Sequence, residues 1–488
     1  MRAIDSKQAI LFDSALALST SLLLIAAFYI PYLAFIAFVG FFAATERGRV
    51  GSVGLSLLAF LPFLMFIYSG IFKSLYVYYQ LPAPIALLLY LLLCVYHLLY
   101  ILAAVFLQKR LRLSVYAFAV LFAAFEFARN RFLYGFPIGN LNLLVYDLPW
   151  FTKSAAWFGA TFVTFEIVLV NAAFYRLLRR SYLKPALVFL MIGIFAMFHV
   201  FSGKGTGRVD IHIVQGNIPQ NEKWEDSFLN RNLHIYIRLT KQLKGLVFWP
   251  ESAYPYLFDP YTFPYDSLPE KVSVIFGAVR LQKNHYYNSV IYIKNRKVVA
   301  IYNKQRLVPF AEFIPLRWLI GRFVPENMDP GDFTAGKSGV LFTYKGLSIG
   351  SMICYEEAFG FISRWYKRHG ANLLAVFTND AWFDGTPTFF MLHRNAIYRA
   401  IENRIWLVRV ANTGISEVVS PSGKIVAKAP VDKMYVLGYR IPVYKGTETI
   451  YDRFGYLSGW FFLLMLIPVI FYETYRSRKE AKQHPATR

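Results

Sequence analysis

The sequence predicts two kinds of structure in one chain: an α-helical membrane bundle of about eight transmembrane helices, and an α/β domain of roughly 250 residues. Three observations carry this. Hydrophobic residues make up 56% of the chain and aromatic residues 18%, against about 45 to 50% apolar residues in ordinary soluble proteins, and the mean hydropathy is +0.40. The apolar excess is uneven: residues 8–202 are apolar segments separated by short loops, and one more apolar run, Tyr456 to Phe471, precedes a polar tail. Between them, residues 203–450 alternate polar and apolar positions with frequent turns.

A spanning helix needs about 20 apolar residues. Candidate spans fall near 10–29, 31–45, 50–70, 84–107, 113–133, 155–175, 185–202 and 454–473, the second of them short. The expected organisation is an N-terminal bundle over 1–202, a catalytic domain over 203–453 and a last helix with a basic tail over 454–488. Lys and Arg set the orientation, because short cytoplasmic loops retain them. Arg2 and Lys7 precede the first helix; Arg47 and Arg49 follow the second; Lys109, Arg110 and Arg112 follow the fourth; Arg176, Arg179, Arg180 and Lys184 follow the sixth. With Arg476, Arg478, Lys479 and Lys482 after the last helix, both termini read as cytoplasmic. In a bacterial inner membrane, 203–453 then lies in the periplasm. The first helix has no small-residue cleavage site leading into a soluble chain, so it reads as a retained span. Within the helices, His97, Glu126 and Glu166 read as helix-to-helix contacts.

The net charge of +23 is absorbed by these anchors and by scattered surface positions. Anionic lipid headgroups are the expected partner, and no basic stripe interleaved with aromatics suggests nucleic acid. No Cys/His cluster or phosphate-binding glycine loop calls for a metal or nucleotide. Nothing suggests an oligomeric interface, so a monomer is expected.

The domain reads as strand-rich. β-branched and aromatic runs recur at Val209 to Val214, Leu246 to Trp249, Val272 to Val279, Ser289 to Ile293, Val298 to Tyr302, Leu347 to Ile353, Leu373 to Phe377 and Trp406 to Val410. Helical stretches such as Phe228 to Leu243 and Phe390 to Asn403 lie between them, which is the pattern of a buried sheet with crossover helices.

The chain has two cysteines, Cys94 inside an apolar run and Cys354. Cys354 therefore has no disulfide partner, and it stands where a strand-like segment ends, the usual way to expose a nucleophile. Two further strand ends deliver Glu251 and Lys304. A thiol attacks as thiolate, so it needs a base, for which Glu251 is the candidate. An attacked carbonyl oxygen becomes negative, and an ammonium such as Lys304 stabilises it. Taken singly, Glu251 could cap a helix and Lys304 could be a solvated loop cation. The loops Tyr254 to Phe258, Tyr261 to Tyr265 and Phe313 to Val324 are unusually aromatic. They are either lids and interfacial anchors or segments packed on the sheet or the helices.

Trp249-Pro250-Glu251-Ser252, Asn303-Lys304 with Leu307 to Glu312, and Ile353-Cys354-Tyr355-Glu356 resemble the Glu, Lys and Cys motifs of the nitrilase superfamily. Val214 to Pro219 with Trp224, Thr378 to Phe383, and Arg409 to Gly414 make the apolipoprotein N-acyltransferase branch the closer resemblance, as does the framing of the domain by helices. The resemblance implies an αββα nitrilase-like sandwich, with Glu251 as general base, Lys304 as oxyanion stabiliser and Cys354 as acyl-accepting nucleophile, supported by Glu312 and Glu356. Trp224, Trp318, Phe323, Tyr355 and Trp382 are candidates for substrate binding or a lid. It further implies transfer of a fatty acyl chain from a phospholipid, through a Cys354 thioester, to the N-terminal amine of a diacylglyceryl cysteine on an apolipoprotein. Two departures are Ala311, where the family has Gly, and Glu357, where an apolar residue is common. The competing expectations are a membrane-tethered amidase using the same three residues, and a non-catalytic transporter or scaffold.

Overall fold

The structure is a computed structural model and describes residues 6–197, 205–323, 332–444 and 447–483. It divides into two compact units. One comprises Met1–Ser69, Pro84–His199 and Arg453–Arg488; the other comprises Gly70–Ala83 and Val200–Asp452.

The first unit is helical. Ser6–Ala27, Ala83–Arg110 and Ala160–Leu178 are each long and apolar enough to cross a bilayer, and a bent pair, Ser52–Ile67 with Ser69–Tyr78, adds a fourth if taken as one span. The apolar helices Leu183–Met197 and Gly459–Tyr472 are shorter. The count among the described residues is thus three or four spans by length and composition, where the sequence suggested about eight. Two of the others are the shorter apolar helices, and for a third the reason is local. The expected span over 31–45 is broken into a 3₁₀ turn, Pro31–Phe35, and a nine-residue helix, Val39–Arg47, which at 1.5 Å per residue covers about half of a 30 Å hydrocarbon core. The break is held by Asn171, whose Oδ1 accepts from the Phe38 amide at 2.7 Å and whose Nδ2 donates to the Ala34 carbonyl at 2.7 Å. Such side chains satisfy backbone groups that irregular structure frees inside a membrane protein. Residues 198–202 of the expected seventh span lie outside the described residues.

Polar residues inside this unit join its helices. Glu126 accepts from the Leu141 amide at 2.9 Å and the Thr164 hydroxyl at 2.6 Å, Glu166 accepts from Ser154 at 2.5 Å, and His97 Nδ1 meets the Tyr68 hydroxyl at 2.7 Å.

The second unit is built on two six-stranded sheets. Its strands are β1 Gly207–Gln215, β2 Gly245–Leu257, β3 Val272–Gln282, β4 His285–Lys294, β5 Lys297–Asn303, β6 Leu341–Tyr344, β7 Leu347–Ile353, β8 Leu373–Thr378, β9 Trp406–Ala411, β10 Glu417–Val419, β11 Ile425–Lys428 and β12 Tyr435–Val443. The sheet orders are β12-β1-β2-β3-β4-β5 and β11-β10-β9-β8-β7-β6. Each has a parallel trio, β1–β2–β3 or β7–β8–β9, flanked by antiparallel strands. The sheets pack face to face, with Phe248 against Phe377 at 6.1 Å and Tyr292 against Phe342 at 5.6 Å between ring centroids. Helix Asp226–Thr240 covers β2, where Tyr236 stacks on Trp249 and the indole donates to Thr240 at 3.0 Å. Helices Gly360–Arg368 and Pro387–Asn403 cover β7 and β9. The layers are αββα, and the central strands read as continuous apolar runs because both faces are buried.

The aromatic loop after β2 is core rather than lid. Tyr254, Phe258 and Phe263 are buried and pack with Phe276, while Tyr261 is the one aromatic residue of this segment that stands out in solvent.

Residues 70–83, read from the sequence as part of the helical region, pack on this unit. The Gly70 amide donates to Thr388 at 3.0 Å and Lys73 Nζ to the Asp384 carbonyl at 2.7 Å. A Cβ on Gly70 would lie 2.4 Å from Thr386 Oγ1, so only glycine fits. A single π turn, Ser74–Tyr78, then brings Tyr79 to stack on Trp382 at 5.5 Å, with Tyr78 meeting the same indole edge-on.

Candidate active site

Glu251 lies in β2 at a break in its register with β3, between Trp249 and Tyr254, and Ser252 beside it adopts φ +48°. Bulged strands re-aim side chains in this way. Gly277 on β3 permits the approach, since a Cβ there would stand 2.6 Å from Glu251 Cα. The carboxylate is buried and held at both oxygens: Oε1 accepts from Asn288 Nδ2 at 2.8 Å, Oε2 from the Asn379 amide at 3.1 Å.

Lys304 follows β5, with its amide donating to the Asn288 carbonyl at 2.8 Å. Its ammonium lies 2.9 Å from both Glu312 oxygens and 3.9 Å from Glu251 Oε1. Glu312 also accepts from Asn288 Nδ2 at 2.9 Å and from the Val308 amide at 2.8 Å. Asn288 therefore ties both carboxylates together. The Glu312 turn needs no glycine at Ala311, because the left-handed residue in it is Phe310, at φ +64°.

Cys354 ends β7 and opens a 3₁₀ turn, Cys354–Ala358, with φ +49°. A non-glycine residue in the left-handed region is strained, and such strain gathers at functional turns. Glu356 fixes this turn to the Lys304 loop: it accepts from the Ile353 amide at 2.7 Å, the Gln305 and Arg306 amides at 2.7 and 3.0 Å, and the Tyr302 hydroxyl at 2.8 Å.

Burial pushes the Cys354 thiol up, as do the charges of Glu251 and Asp380; Lys304 and a hydrogen bond with Thr378 oppose them. Burial also raises Glu251, with Lys304 and Lys223 pulling the other way and Glu312 adding to the rise. Lys304 is lowered by burial, but Glu312 and Glu251 outweigh this and hold it above its ordinary value. Lys304 thus stays charged beside a thiol and a carboxylate that burial holds toward their protonated forms.

Behind the turn, Arg409 is fully buried between two acids. It makes a two-pronged contact with Glu357, both bonds 2.9 Å, and reaches Asp380 at 2.7 and 3.0 Å. Asp380 accepts from the Thr378 hydroxyl at 2.8 Å. Glu357, anomalous in the sequence, thus has its counter-ion, and burial lifts it to about 7 despite Arg409. Replacing Arg409 with Met leaves two carboxylates buried without a cation, so we expect a loss of about 3–5 kcal/mol, read as a lowered thermal unfolding midpoint. An unchanged midpoint would contradict this.

The remaining predicted residues are dispersed. Trp224 is half-exposed, and Trp318 is 83% exposed in the short helix Arg317–Ile320. Tyr355 is buried edge-on against Phe359, and Trp382 is the residue stacked by Tyr79. Phe323 closes a turn, Gly321–Phe323, and its side chain lies outside the described residues. Sequence reasoning missed Asn288, Asn379 and Lys223. Both Asn379, two positions past the predicted strand Leu373 to Phe377 as Glu251 and Lys304 are past theirs, and Lys223, directly before Trp224 in a turn that follows β1, carried a usable signal.

A two-sheet αββα domain with these strand ends is of the carbon–nitrogen hydrolase type, and residues 212–451 match the carbon-nitrogen hydrolase family. Residues 18–173 match the apolipoprotein N-acyltransferase N-terminal domain. The chain is 31% identical over 374 residues to the apolipoprotein N-acyltransferase of Geobacter metallireducens, covering 70% of this chain and 71% of that one. To the apolipoprotein N-acyltransferase of Brucella melitensis it is 30% identical over 369 residues, 67% of each chain. The chain belongs to the apolipoprotein N-acyltransferase family and is an acyltransferase. Among solved structures it is similar to Nit3 of Saccharomyces cerevisiae, a member of branch 10 of the nitrilase superfamily, at 19% identity and a TM-score of 0.38, over 50% of this chain and 93% of that one.

Proposed function

We propose that Cys354 carries a fatty acyl group from a phospholipid to the N-terminal amine of a diacylglyceryl-modified apolipoprotein. In the first step Glu251 takes the Sγ proton and the thiolate attacks the ester carbon. The carbonyl oxygen, now negative, is met by the Lys304 ammonium. The carbon–oxygen bond breaks, the proton passes from Glu251 to the leaving alkoxide, and a lysophospholipid departs from the thioester. In the second step the acceptor amine, with an unperturbed pKa of about 8, attacks the thioester. Glu251 accepts its proton, the carbon–sulfur bond breaks to leave the amide, and the proton passes to Sγ, which regenerates the thiol. The carrying observation is that the strained Cys354 turn is tied through Glu356 to the loop of Lys304, whose ammonium pairs with Glu312 beside the buried Glu251 carboxylate. Every acyl group stays in an ester, thioester or amide, so the reaction needs no nucleotide.

Both lipid substrates suit a chain whose first unit carries membrane-length helices. We further read eight crossings of a bacterial inner membrane, the second made by the broken segment over 31–45, with 203–453 in the periplasm and the protein acting as a monomer. The alternation of basic loops supports the orientation. A Lys283→Cys variant should react with an impermeant maleimide in intact cells and an Arg180→Cys variant only after lysis; the reverse pattern would refute this topology.

The activity is tested with purified protein and phospholipid, omitting any amine acceptor. Intact mass should show a hydroxylamine-sensitive gain of one fatty acyl group on Cys354. A folded protein with a reactive thiol but no adduct would favour an amidase.

A further inference from the structure

We propose that Lys223 is a second cation of the active site, held on the main-chain carbonyl of Glu251, whose charge keeps the Glu251–Cys354 pair ionised. This rests on the reading of Cys354 as nucleophile and adds to it a residue with no part in the scheme above.

Lys223 lies between β1 and helix Asp226–Thr240. Its side chain is 3% exposed, and Nζ donates to the Glu251 carbonyl oxygen at 3.0 Å. The adjacent acid does not neutralise it, since Glu222 is paired with Arg231. Its indole neighbour Trp224 offers only a ring face, 5.9 Å away. A lysine is almost never fully buried unless its charge is answered, so the question is what Lys223 answers.

The charges of the cluster supply it. Glu312 lies 2.9 Å from Lys304, while Glu251 is 3.9 Å away. Lys304 and Glu312 thus form a neutral pair. What remains is one negative charge, on Glu251 before proton transfer and on Cys354 after it. Asp380, also near the thiol, shares the Arg409 guanidinium with Glu357 and is outside this count. An uncompensated buried anion is costly, and Lys223, buried and hydrogen-bonded to the Glu251 main chain, is placed to compensate it. Both Glu251 and Cys354 act on it electrostatically, holding up an ammonium that burial depresses to about 8. Because it faces both groups, moving the proton from sulfur to carboxylate leaves the local charge balanced. Lys223 acts through Glu251 and the field at the thiol, which makes it a positioning residue.

The test is the pH dependence of Cys354 alkylation by iodoacetamide in the full-length protein, read by peptide mass so that Cys94 is scored separately. The groups acting on Glu251 and Cys354 are Lys304, Glu312, Asp380, Asn288 and Thr378, and all stay in place in the variants. Lys223→Gln keeps a donor for the Glu251 carbonyl but removes the charge. Its alkylation rate at pH 7 should fall about tenfold, the equivalent of one pKa unit, with the profile displaced to higher pH. Lys223→Arg should stay within twofold of wild type. If Lys223 serves only as a hydrogen-bond anchor, Lys223→Gln will match wild type across the profile, and the proposal is overturned. Should the Gln variant not fold, Lys223→Met, which loses charge and donor together, is read instead, and a Met variant that alkylates within twofold of wild type across the profile overturns the proposal. Alkylation needs no lipid, so failure of the acyl-transfer reading would leave this outcome independent.

Discussion

Replacing Cys354 with alanine should remove the acyl adduct and reduce acyl transfer to background, while the protein unfolds at nearly the wild-type temperature. The turn at Cys354 is fixed by Glu356, which grips the Ile353, Gln305 and Arg306 amides, and these bonds do not involve the sulfur. The backbone cost of φ +49° is the same kind for alanine as for cysteine, about 1–2 kcal/mol. Residual transfer in a folded Cys354→Ala protein would exclude a covalent intermediate on this residue.

The second large effect is expected from Glu251→Gln. An amide keeps an oxygen for one of the two donors, Asn288 or the Asn379 amide, and Lys304 keeps Glu312, so the fold should survive. The base does not, and formation of the thioester should slow by roughly 10² to 10⁴. The pH dependence has a definite sign. Glu251 works as a base only when deprotonated, and burial raises its pKa. Activity should therefore fall, as pH is lowered, at a higher pH than an exposed carboxyl near about 4.3 would give. In Glu251→Gln that acidic limb should disappear. A variant retaining both the rate and the limb would remove Glu251 from the mechanism.

What the sequence made legible was the part of the site written at strand ends. Glu251, Lys304 and Cys354 each follow a recognisable apolar run, and all eight runs became strands. The strands it did not reveal have physical reasons for silence. β6, β10 and β11 are only three or four residues long, and β12 pairs with β1 across more than 200 positions. Asn288 was invisible for another reason: it joins Glu251 and Glu312 from an ordinary position within β4. Glu357 looked like a defect because its partner, Arg409, stands on a strand 52 positions away. The aromatic loop after β2 misled in the opposite sense, since composition alone does not tell an interfacial ring from one packed on Phe276.

The docking of Gly70–Ala83 makes time an ingredient of assembly. Its contacts with Asp384 and Thr388 span 311 and 318 positions, and at roughly 5–20 residues per second a ribosome needs about 15–60 s to cover that interval. The early segment must be kept competent for tens of seconds before its counterpart exists, and closing so long a loop is slow compared with local folding. A C-terminal fragment made alone, however complete its two sheets, would lack Tyr78 and Tyr79 beside Trp382, and supplying the missing segment later as a separate peptide would turn an intramolecular step into a concentration-dependent one.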